Sequence, residues 1–121
     1  MITILPADKA FLQSIEAPAD TEAMVLRDSS GAALGHALFR VSGDETEILR
    51  VETDEPLMIE ALIRSVLNAG DCRGAVTGVC RLKSLAPVLK RLEFAPANGR
   101  YEVSIDAFFR SGCQHENGQT K

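Results

Sequence analysis

Residues Thr46 to Gly70 read TEILRVETDEPLMIEALIRSVLNAG, and the change of period inside this stretch decides the fold. From Thr46 to Thr53 the side chains alternate: Ile48, Arg50 and Glu52 fall on one side, and Leu49, Val51 and Thr53 on the other. That two-residue period is the mark of a β-strand. From Glu55 to Ala69 the period lengthens. Leu57, Met58, Ala61, Leu62, Val66 and Leu67 build a broad apolar face, while Glu60, Arg64 and Asn68 form a polar stripe, which predicts an amphipathic helix. Glu60 and Arg64 are also a favourable helical pair. Thr53 or Asp54 suits the cap at the start, and Gly70 suits a left-handed stop.

Upstream, Ala32 to Ser42 alternates Leu34, His36, Leu38 and Arg40 against the smaller set Ala33, Gly35, Ala37, Phe39 and Val41. Ser42-Gly-Asp-Glu45 and Asp28-Ser-Ser-Gly31 are turn sequences. With Glu22 to Arg27, these segments predict a three-stranded antiparallel meander. Before it, Ile2 to Leu5 reads as a first strand and Pro6 to Glu16 as a helix, with Pro6 in the first turn. Downstream, Gly74 to Cys80 is small and uncharged, as a buried central strand requires. Ser84 reads as the cap of a further helix, with Pro87 in its first turn and Leu85, Val88, Leu89 and Leu92 facing the core. Asn98-Gly99 is a turn, and Tyr101 to Ile105 alternates as a last strand. The expected class is α/β (α+β): a mixed, mostly antiparallel sheet of about six strands flanked by three helices. Residues 1–109 form the domain, and residues 110–121 are a polar tail without fixed structure.

The chain of 121 residues fits one core, and 45% apolar with 25% charged residues is an ordinary globular mix. Thirteen basic against 17 acidic residues leave a net charge of −4, which gives no electrostatic footprint for nucleic acid or an anionic membrane. Cys72, Cys80 and Cys113 are an odd set at wide spacing and not a disulfide framework, which suits a reducing cytoplasm. The first residues lack the basic-then-apolar pattern of a signal peptide, and no apolar run reaches the ~20 residues that span a bilayer. The expected location is therefore cytoplasmic.

The order strand, helix, three meander strands, long helix, buried strand, helix, strand resembles the GNAT acyltransferase superfamily over roughly Ile2 to Phe108. Val88-Leu-Lys-Arg-Leu-Glu-Phe94 resembles the end of that family's fourth helix, with Phe94 and Arg91 in its Phe and Lys positions. Ile48-Leu-Arg-Val51 resembles the fourth strand, whose backbone receives the pantetheine arm of acyl-CoA, and Ala61-Leu-Ile63 resembles the Ala-Leu-Leu that follows in the third helix. The resemblance implies acetyl-CoA as cofactor, bound by Leu49, Arg50 and Val51, by Asp54, Glu55 and Leu57 at the helix start, and by Arg81. The acceptor would be a small-molecule or protein amine.

The sequence also departs from the family pattern. Where the family has a glycine-rich, basic phosphate loop, this chain has Glu52-Thr-Asp-Glu-Pro-Leu57, with no glycine and no basic residue. Acids there are also ordinary first-turn residues of a helix. The family's fourth-helix Tyr aligns with Leu89 and its Asn with Leu82, and neither leucine can transfer a proton. The family's second helix is missing from the short run after Glu16. The candidate catalytic residues are Glu52 and His36 as bases and Cys80 as nucleophile or proton donor. The competing reading of His36 is a core histidine, and that of Cys80 a small buried hydrophobe. Cys113-x-His115 lacks the paired spacing of a zinc site, so no metal is expected.

Two functions follow. One is an acyl-CoA-dependent N-acyltransferase with a non-standard cofactor loop. The other is a non-catalytic interaction or dimerisation module of the same fold, a homodimer pairing through an edge strand such as Tyr101 to Ile105.

Overall fold

The structure is a computed structural model and describes residues 2–110. Its elements run β1 (Thr3–Pro6), α1 (Lys9–Ser14), β2 (Glu22–Arg27), β3 (Ala33–Ser42), β4 (Glu45–Thr53), α2 (Ile59–Cys72), β5 (Thr77–Cys80), α3 (Ala86–Arg91), β6 (Ala95–Ala97) and β7 (Arg100–Ser104). A last helix, α4, covers residues 105–110. All seven strands share one sheet in the order β1-β2-β3-β4-β5-β7-β6. Every pairing is antiparallel except β4 with β5. The expected mixed, mostly antiparallel sheet is present.

The strand after α3 and the helix after β7 are additions to the sequence reading. Ala95-Pro-Ala97 is too short to show a period, yet Asn98 and Gly99 both take positive φ, 54° and 80°, and fold it back on β7. Such a turn joins two strands with the twist of a hairpin. Consequently β7 lies between β5 and β6, and the Tyr101 to Ile105 segment is not a sheet edge. Ile105 opens α4 instead of ending the strand. Pro6 ends β1, and α1 starts later, capped by the Asp8 carboxylate, which accepts from the Phe11 amide at 2.9 Å. Ser84 caps nothing. It sits inside a short 3₁₀ turn, Lys83–Leu85, that leads into α3. The expected tail, residues 110–121, lies outside the described residues apart from Arg110, which is helical and part of α4.

The core lies between α2 and one face of the sheet. Leu62, Ile63, Val66 and Leu67 are fully buried against Leu26, Ala37, Phe39 and Ile48, with Leu89 and Phe94 closing one side. Each of the larger side chains contributes about 1.5–3 kcal/mol through burial. Gly70 has a different task from the stop expected of it. The helix continues to Cys72, and Gly74, at φ 85°, takes the left-handed position. Gly70 is where α2 presses on β4, and a Cβ there would overlap the Thr46 side chain.

Candidate functional site

β4 is longer than its neighbour. Glu45 to Ile48 pair in parallel with Thr77 to Cys80, and there β5 ends. Leu49 to Thr53 continue along β3 with no strand on the β5 side, because the chain after Cys80 turns away into the 3₁₀ segment. The parting coincides with a bulge: Leu38 faces Arg50 while Phe39 faces Ile48, so Leu49 is the extra residue. A bulge bends its strand and increases local twist. The sheet therefore parts after Ile48 and Cys80, and among the described residues the main chain of Leu49, Arg50 and Val51 has no strand partner on the β5 side of this gap. Main-chain groups left without a partner need water or a ligand.

At the wide end of the gap, the link to α2 is tied up internally. The Thr53 hydroxyl donates to the Leu34 carbonyl at 3.1 Å and accepts from the Glu55 amide at 3.0 Å. The Met58 amide donates to the Glu55 carbonyl at 2.8 Å, and the Ile59 amide to the Pro56 carbonyl. No side chain caps α2. Asp54 and Glu55 are exposed, and Leu57 stands 87% exposed in solvent.

His36 and Glu52 face each other across β3 and β4, on the side of the sheet opposite α2. With Phe11, Gly35, Thr53 and Asp54 they line a cleft of about 260 Å³. His36 is only 7% exposed, its ring meets the edge of Phe11 at 5.6 Å between centroids, and its Nε2 has no partner among the described residues. Burial pushes the imidazole pKa below its usual 6.5; the Glu52 charge opposes this and Arg50 adds to it. The ring is therefore neutral at neutral pH, and its Nε2 or Nδ1 is free to accept a proton.

This has a consequence for stability. The unfolded chain takes a proton on His36 near 6.5, whereas the folded chain takes it only at lower pH. Folding stability is then complete above that value, falls as pH drops below it, and levels off below the folded pKa. Urea unfolding of the native chain should show a lower midpoint at about pH 5.5 than at about pH 7.5. His36→Leu should flatten that difference; an equal drop in both proteins would place its cause elsewhere.

The other expected site residues divide. Cys80 is fully buried in the core, and burial raises its thiol pKa, so no thiolate is offered to the gap. Arg81, just beyond it, is held by the Glu47 carboxylate. Arg50 lies 3.7 Å from Glu52 in an exposed, weak pair. Leu89 is buried, so its place in the fold faces the core. Cys113 and His115 lie outside the described residues, and no cluster suited to a metal occurs among the described ones. The sequence reading missed the bulge at Leu49 and the tie at Thr53. Nothing in the sequence marked the first, because the skipped residue is set by the pairing with β3.

No protein-family model matches the chain, and no curated protein matches its sequence. Solved structures do match in shape. A mutant form of the spermidine N-acetyltransferase SpeG from Vibrio cholerae superposes with a TM-score of 0.73 at 8% identity, covering 92% of this chain and 98% of that one. A GNAT-family acetyltransferase from Staphylococcus aureus gives 0.65 at 9% identity, covering 87% and 99%. The ribosomal-protein-S18-alanine N-acetyltransferase of Escherichia coli gives 0.65 at 16% identity, covering 84% and 89%. At these identities the likeness shows the fold: the chain has the architecture of the GNAT N-acetyltransferases.

Proposed function

We propose that this GNAT-fold chain is an N-acyltransferase that holds an acyl thioester, acetyl-CoA as the first candidate, in the gap between β4 and β5, and passes the acyl group to an amine. The observation that supports this most is the parting of those strands directly after Ile48 and Cys80, at the bulge. A pantetheine arm carries amides, and the unpaired main chain of Leu49 to Val51 offers it strand-like hydrogen bonds. Such a donor supplies a carbonyl open to attack by an amine, with a thiol leaving.

An amine is protonated at neutral pH and must lose a proton before it attacks. Glu52, exposed and next to the gap, takes that proton, and neutral His36 across the strand pair shares the cleft with it. Two carboxylates, Glu52 and Asp54, make the cleft hospitable to a cationic acceptor, while the Phe11 ring already carries the Arg27 guanidinium at 5.7 Å. The chain offers no acid at Leu89, so its rate enhancement comes chiefly from placing the two reactants side by side.

Isothermal titration of the purified protein with acetyl-CoA tests the donor half. Saturable one-to-one binding is expected. Absence of heat together with an unchanged melting temperature at millimolar ligand overturns it.

The buried Leu89 and the acidic approach to α2 favour a second reading, a fold kept as an interaction or self-pairing module without chemistry. The exposed Ile2 and Leu5, at the β1 edge of the sheet, are the surface it would use. Light scattering separates the two: a concentration-dependent dimer in a chain that binds no thioester supports the module.

A further inference from the structure

The start of α2 does not fit the diphosphate half of a CoA nucleotide. An anion cradle needs free amides and a backbone that can come close. Here Pro56 has no N–H, and the amides of Glu55, Met58 and Ile59 are already bonded within the link. Its charges point the same way. Glu60 is matched by Arg64 at 3.5 Å and Arg91 at 3.4 Å, while Asp54 and Glu55 have no basic partner among the described residues. The positive end of the α2 dipole is thus met by two unpaired carboxylates.

From this mismatch, and resting on the donor reading above, we infer that the chain recognises a pantetheine thioester by its uncharged arm alone. The nucleotide diphosphate, where present, stays in solvent and adds no affinity. Donor specificity then resides in the gap at Leu49 to Val51, and a thioester carried on a bare pantetheine serves as well as one carried on the full nucleotide. Charge repulsion at the link is long-ranged enough to be screened by salt.

Titration calorimetry with S-acetylpantetheine and with acetyl-CoA, side by side, tests this. The dissociation constants should agree within about threefold, where tenfold would correspond to about 1.4 kcal/mol. Raising salt from about 20 to about 300 mM should tighten acetyl-CoA and leave S-acetylpantetheine unmoved. The Asp54→Asn, Glu55→Gln double variant should likewise tighten only acetyl-CoA. Acetyl-CoA binding tenfold or more tightly than S-acetylpantetheine, or weakening with salt, overturns the inference and leaves the donor site intact. Failure of both ligands to bind overturns the donor reading itself, and this inference with it.

Discussion

Glu52→Gln is expected to lower turnover by about 10²–10⁴-fold, the usual contribution of a positioned general base. Glutamine keeps the size of the side chain and removes its basicity. Thiol release from acetyl-CoA would be followed with a panel of primary amines and polyamines. Donor affinity should stay unchanged, because Glu52 lies on the cleft side of β4, and its partner Arg50 is 3.7 Å away in a weak, exposed pair. The loss should shrink as pH rises and the acceptor supplies its own neutral amine. A variant that keeps a third or more of native turnover at neutral pH would remove Glu52 from the chemistry.

Gly70→Ala should be strongly destabilising. The added Cβ falls on the Thr46 hydroxyl, and both residues sit where α2 and β4 are in direct contact, with Thr46 fully buried. Overpacking of this kind costs about 1–3 kcal/mol or more. That outweighs the roughly 1 kcal/mol by which alanine outperforms glycine in a helix. Chemical unfolding should show the loss, and Thr46→Ala should recover part of it in the double variant, since the two changes are not independent. Full additivity of the two would show that the contact is not the cause.

The same glycine illustrates what can be read from sequence. A glycine after an amphipathic run suits both a helix stop and a close approach, and only the position of β4 distinguishes them. The meander, the long helix and the buried strand announce themselves through period and turn chemistry, so their order was legible in the residues alone. Ala95–Ala97 was not, since three residues with a proline carry no period. The fate of Tyr101 to Ile105 as a sheet edge depended on that missing strand and fell with it. At the site, Leu49 to Val51 were visible through their resemblance to the family's fourth strand, and the acidic link as a departure from its loop. The bulge was invisible, because alternation in one strand says nothing about which residue its partner skips. Cys80 stands where a sequence reader hopes for reactivity, yet burial among apolar side chains keeps its thiol protonated.

The acyl-transfer proposal requires a ligand to lie where β4 has lost its neighbour. Amide-resolved NMR of the chain, titrated with S-acetylpantetheine, measures this directly. Shifts and slowed hydrogen exchange should concentrate at Leu49, Arg50 and Val51 and at the end of β5, with Lys9–Ser14 and β6 unmoved. Saturating ligand that leaves those β4 amides unchanged, or perturbs a different face of the sheet, would contradict the account.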